Sequence, residues 1–132
     1  GKKVNNIVIR ITRNISRILG YSLNKISYKK AIEKIDTPYY EEDRVYPNII
    51  PGWDNSPRRG PGAFIFHKAT PALFKKHVKM ILNRIKDKPD EDKVIFLKSW
   101  NEWAEGNYME PDLKWGKGYI RALREALEED AK

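Results

Sequence analysis

From residue 48 onward the chain runs twice through one pattern: a short apolar run, a polar loop, then an amphipathic stretch. The apolar runs are "NIIPGWD" and "KVIFLKS", and the loops are "NSPRRGPG" and "NEWAEGNYMEPD". Thr70-Pro71 is a helix start, a threonine cap followed by proline in the first turn. Leu73, Phe74, Val78, Ile81, Leu82 and Ile85 then keep helical spacing, with lysines and Arg84 on the other face. A last helix is predicted from about residue 117 to 130, with Tyr119, Ile120, Leu123, Ala126 and Leu127 facing inward. Strands alternating with helices of this length predict parallel β/α units. Pro51 cannot donate to a sheet ladder, so the first strand must be short; "KVIFLKS" reads as the better one and as buried.

Parallel units constrain the chemistry as well as the fold. Loops that follow parallel strands emerge at one edge of the sheet, the usual place for a site. The two loops here hold the chain's clusters of Trp, Asp, Glu and Arg, so segments separated by a helix are expected to converge. Upstream, "NNIVIRITRNISRILG" reads as an amphipathic helix stopped by Gly20. Ile7, Val8, Ile11, Ile15, Ile18 and Leu19 lie on one arc, and Arg10, Arg13 and Arg17 on another. "SYKKAIEKI" is a second short helix, capped by Ser27 and ended before Thr37-Pro38.

The formal net charge of +8 suggests nucleic acid until its distribution is counted. Residues 1–36 carry nine Lys/Arg against two Asp/Glu, and the remainder carries 17 against 16. The basic segment has few aromatic residues and no recognised motif, so no nucleic-acid partner is expected. A basic amphipathic helix fits peripheral contact with an anionic membrane better. Its alternative is packing on the body of the protein. No apolar run spans a bilayer and no signal-peptide core follows the N-terminus, so a cytoplasmic, membrane-peripheral placement is expected. There is no cysteine, and the two histidines lack ligand spacing, so no metal or cofactor is expected. His67 is placed in a loop, and His77 on the amphipathic helix as a boundary residue between its faces.

Glu102 and Glu105 stand three residues apart after the second strand. Glycosyl chemistry needs two carboxyl groups: one donates or retrieves a proton at the glycosidic oxygen, and the other serves as nucleophile or base. Like charge and neighbouring rings would raise the pKa of at least one of them. Trp100, Trp103 and Tyr108 offer flat walls for sugar faces, and Asn101 a hydroxyl contact. Asp54, Asn55, Arg58 and Arg59 add polar contacts from the other loop. The same spacing also occurs on solvated turns, so spacing alone leaves both readings open.

"SWNEWAEGNYMEPD" with "WGKGYIRAL", and "PGWDNSPRR" upstream, resemble the signatures of the WbsX-type glycosyltransferases of lipopolysaccharide and capsule biosynthesis. That group is similar to family 99 glycoside hydrolases. The resemblance covers residues 38–128. It implies an α/β fold, the C-terminal part of a (β/α)8 TIM-type barrel: about two β/α units in residues 37–132 behind a basic helical segment, 1–36. A closed barrel takes about 250 residues, so full activity is expected to need further N-terminal strands. It also implies a retaining mechanism on a sugar or oligosaccharide, with Glu102 deprotonating the substrate's 2-hydroxyl and Glu105 as general acid/base. Trp53, Asp54, Asn101, Trp103, Tyr108 and Glu110 would line the sugar site. The hydrolases carry His where this chain has Ala104, which agrees better with the WbsX-type subgroup. The competing reading is a non-catalytic remnant, a carbohydrate-binding or structural part of the same barrel.

Overall fold

A computed structural model describes residues 2–130. The side chains of residues 2–9 and of Arg13 lie outside the described ones, and with them Ile7 and Val8 of the predicted apolar arc. The elements run α1 (Lys2–Leu19), β1 (Lys25–Ser27), α2 (Tyr28–Ile35), β2 (Asn48–Ile49), α3 (Ser56–Arg59), β3 (Ile65–His67), α4 (Pro71–Ile85), β4 (Phe96–Leu97), β5 (Asn101–Glu102), β6 (Asn107–Tyr108) and α5 (Gly118–Asp130).

The capping signals are obeyed. Thr70 Oγ1 accepts the amide of Leu73 at the start of α4, and Ser27 Oγ accepts that of Lys30 at the start of α2. Gly20 sits at φ +72° after α1, a conformation that suits glycine in ending a helix. β2 and β4 pair in parallel, Asn48 with Phe96 and Ile49 with Leu97, across α4. This is the parallel β–α–β unit that the pattern implied. Pro51 follows β2 and the ladder stops there.

The predicted strand at 93–99 is only two residues long, and it is not buried. Ile95 and Leu97 pack on the core while Phe96 is 54% exposed, so one face of the β2–β4 pair lies open. A second parallel pair, β1 with β3, was not anticipated. It places His67 on a strand rather than in a loop. His77 is not at a boundary either: it is buried, with Nε2 3.3 Å from the Asn48 carbonyl oxygen. The inner face of α5 is made by Tyr119, Ala122 and Ala126, whereas Leu127 is exposed.

The core joins α4 to α5 and to the strand ends: Ile49, Phe74, Val78, Ile81, Met109, Tyr119, Ala122 and Ala126. Burial of side chains the size of Phe74, Val78 and Ile81 contributes roughly 1.5–3 kcal/mol each. Residues 25–36 are tied to the same body, since the Tyr28 hydroxyl donates to the Ile50 carbonyl and Arg84 reaches Asp36 and Glu41. Among the described side chains of α1, Ser16 is buried while Ile11, Ile15, Ile18 and Leu19 are exposed, so this part of the apolar arc faces out. Among the described residues no helix is long and apolar enough to cross a membrane.

Candidate active site

Two turns leave the ends of β2 and β4, and they meet. The amide of Asp54 donates to the carbonyl oxygen of Glu105 at 2.7 Å. Gly106, at φ +55°, lies against Asp54 so closely that a Cβ there would fall 2.9 Å from the Asp54 backbone nitrogen. Only glycine permits both that conformation and that approach. The Lys98–Ser99 peptide before the second turn is cis. The turn is then built on Asn107, which is fully buried: its Oδ1 accepts the amide of Ser99, and its carbonyl accepts the Ser99 hydroxyl. Residues 107 to 110 alternate, with Asn107 and Met109 buried and Tyr108 and Glu110 facing the surface side.

Arg58, carried on α3, reaches across to the opposite turn. Its two terminal nitrogens lie 2.9 Å from Glu105 Oε1 and 3.2 Å from Glu102 Oε1. Lys98 Nζ approaches the other oxygen of Glu105 at 3.9 Å, and sits 5.2 Å from the ring centre of Trp53. The two acids are therefore not an unopposed like-charged pair; a shared cation stands between them. The Glu105 side chain is 17% exposed and that of Glu102 38%.

Beside this cluster opens a cleft of about 420 Å³. Trp53, Asp54, Trp103 and Tyr108 line it. Glu102, Glu105, Asn55, Arg58, Asn101 and Glu110 do not line it, and stand outside its wall. Trp103 and Tyr108 stack face to face, ring centres 3.8 Å apart and 12° from parallel, and the Trp103 indole donates to Glu110 at 2.6 Å. Glu110 thus orients a wall of the cleft. Asp54 and Asn55 are partly spent on their own loop: Asp54 Oδ1 accepts the Ser56 amide and hydroxyl, and Asn55 Oδ1 accepts the Phe64 amide. Asn101 is exposed and pairs with Tyr108 through the β5–β6 ladder.

The far wall was missed at the sequence level. Asp112, Lys114, Trp115 and Tyr119 complete it. Burial pushes the Tyr119 hydroxyl pKa up, with the charge of Asp112 adding to it. Burial raises that of Tyr108 too, helped by the charge of Asp112 and a hydrogen bond to it. Both phenols therefore stay protonated at neutral pH; the Tyr108 O–H is engaged by Asp112, and that of Tyr119 can donate to an oxygen-rich ligand. The signal was present, for "WGKGY" carries Trp115 and Tyr119 on either side of two glycines. Lys98 was hidden at the end of an apolar run. Among the described residues no group of three His, Asp or Glu side chains is gathered as for a metal ion.

A family model described as glycosyltransferase WbsX matches residues 2–123. The chain belongs to the WbsX family. Two curated relatives, each named uncharacterized protein WxcX, come from two strains of Xanthomonas campestris pv. campestris. Each is 37% identical over 84 residues, which is 63% of this chain and 12% of the relative. The matched part therefore spans a small fraction of those relatives. No solved structure matches the chain. The WbsX match takes in both turns of the site and the whole of α1.

Proposed function

We propose that this chain carries the acid-bearing part of a sugar-active site, within an enzyme that makes or breaks glycosidic bonds in cell-surface polysaccharide biosynthesis. The observation that carries the reading is the meeting of the two turns: Asp54 bonded to Glu105, and Arg58 bonded to Glu102 and Glu105, beside an aromatic cleft. The cleft's volume falls within the usual range of small-ligand pockets. By the family resemblance, Glu102 takes the proton of a ring hydroxyl and Glu105 exchanges a proton with the glycosidic oxygen. Trp53, Trp103, Tyr108 and Trp115 supply flat walls for sugar faces.

The same reading makes the β2–α4–β4 unit part of a (β/α)8 barrel. The open face at Phe96 supports this, because alternate residues of a barrel strand face the helices and the barrel interior. The outward apolar arc of α1, in a segment of strong positive charge, supports contact with an anionic membrane. Sedimentation with vesicles rich in phosphatidylglycerol, and none with phosphatidylcholine alone, tests that contact. Loss of binding in Ile11→Ser/Ile15→Ser is the expected outcome.

The test of the central reading is turnover of aryl mannosides and rhamnosides, and glycosyl transfer to sugar acceptors, by the longest natural chain containing these residues. Glu105→Gln is expected to lower turnover by at least roughly 10²-fold. Turnover in Glu102→Gln and Glu105→Gln equal to that of the unaltered chain would overturn it. One observation favours a second reading, carbohydrate binding without catalysis: neither acid lines the cleft. Under that reading, sugar binding survives both glutamine variants and is lost in Trp103→Ala.

A further inference from the structure

We infer that Arg58 is a positioning residue for the acid pair rather than a contact for substrate. It presents one N–H to each glutamate, with Lys98 as a second support for Glu105 alone. This rests on the reading of Glu102 and Glu105 as the working acids.

The geometry makes the roles unequal. Glu105 has two cations, one near each oxygen: Arg58 at 2.9 Å and Lys98 at 3.9 Å. Among the described residues the cation bonded to Glu102 is Arg58, at 3.2 Å. A guanidinium can serve two acids at once because its donors diverge from a rigid plane, whereas an ammonium is a single point of charge. The loop beneath Arg58 is built to hold this reach. Asp54 Oδ1 caps the first turn of α3 through the Ser56 amide, and Asn55 Oδ1 ties the loop to the Phe64 amide. The opposite turn is fixed by Asn107 under Ser99, and the Ser99 hydroxyl accepts the amide of Glu102 at 3.2 Å. Both ends of the bridge are thus anchored by short-range bonds.

A cation bonded to a carboxylate covers its oxygens and repels the positively charged water-soluble carbodiimide, and both effects suppress modification. The test therefore requires no substrate. The whole chain is treated with a water-soluble carbodiimide and glycine ethyl ester at pH 6, and modification is read by peptide mass spectrometry. Glu128, exposed on α5, serves as internal reference.

Arg58→Gln should raise modification of Glu102 and Glu105 about two- to fivefold, the range an exposed ion pair supports, and Glu102 more than Glu105. Lys98→Gln should raise Glu105 alone. Arg58→Lys should restore protection at one acid and not at the other. Unchanged reactivity of Glu102 in Arg58→Gln overturns the inference. Should that variant loosen the whole loop and raise Glu128 as well, Arg58→Lys decides, because it keeps charge and bulk: equal protection of both acids by lysine overturns the fork. The labelling pattern with no turnover in any assay strikes the proposed function alone; turnover without the pattern strikes this inference alone. Where turnover is found, Arg58→Lys should lower kcat about tenfold at nearly constant KM. A rise in KM alone would make Arg58 a substrate contact and overturn the assignment.

Discussion

Gly106 lies where the two turns meet, against Asp54. Any Cβ there meets Asp54 backbone atoms at 2.9–3.0 Å, and the φ of +55° is strained for other residues. Gly106→Ala should therefore open the Asp54–Glu105 hydrogen bond and cost about 1–3 kcal/mol. Urea unfolding gives the cost, and faster amide exchange at Asp54 identifies its place. His77 makes a second prediction at this scale. Burial lowers its pKa, against the opposing hydrogen bond to the Asn48 carbonyl and the charge of Asp36. The unfolded chain then binds a proton near pH 6.5 that the folded chain refuses until lower pH. Stability contributed by neutral His77 is present above pH 6.5 and falls as pH drops through the window below it. Urea midpoints at pH 7.5 and 5.5 should differ in that direction, and His77→Gln, which keeps a donor for Asn48, should shrink the difference. Neither residue announced its part. At the sequence level nothing is drawn from Gly106, and His77 is placed as a boundary residue of the amphipathic helix where the structure buries it.

Among the elements, the long helices were legible, the short α3 was read as loop, and β2 and β4 were legible in place but not in length, for a physical reason. α4 and α5 carry their own hydrogen bonds, caps and apolar period, so their bounds follow from local sequence. Thr70→Ala should cost about 1 kcal/mol, measured by thermal or urea unfolding, because it removes the side-chain partner of the Leu73 amide. Gly118→Ala should cost more than an exposed helical Gly→Ala change, which normally stabilises. A Cβ on Gly118 meets Pro71 Cγ at 2.9 Å, where the starts of α4 and α5 touch. A strand's length, by contrast, depends on its partner. "KVIFLKS" has the composition of a longer strand, yet it pairs only where β2 runs beside it, and β2 ends at the prolines. β3 escaped notice because Ile65–His67 is too short to show alternation, and its partner β1 lies 40 residues upstream. The site was legible to a similar degree. The acids, Trp53 and Trp103 stand out by residue type, while Asp112 and Lys98 acquire their meaning only from what the fold sets beside them.

At the scale of the whole molecule the decisive feature is what remains uncovered. Ile95 and Leu97 face α4 and α5, whereas Phe96, Val94 and Tyr46 stand exposed on the other side, Phe96 edge-on to Tyr46. A strand with apolar residues on both faces is suited to burial on both, as parallel sheets inside α/β folds require. If these units belong to a barrel, the cost of deleting the Phe96 ring must depend on how much of the barrel is present. In this 132-residue chain, Phe96→Ala should cost about 1 kcal/mol, since half the ring is already in water. It should also reduce binding of a hydrophobic dye such as ANS. In a natural chain carrying further β/α units the same change should cost about 3–5 kcal/mol, as for a fully buried phenylalanine. Paired urea titrations of the two chains read the difference. Equal costs in both would mean that the additional units leave this face in water, and the barrel proposal would fall while the meeting of the two turns stood.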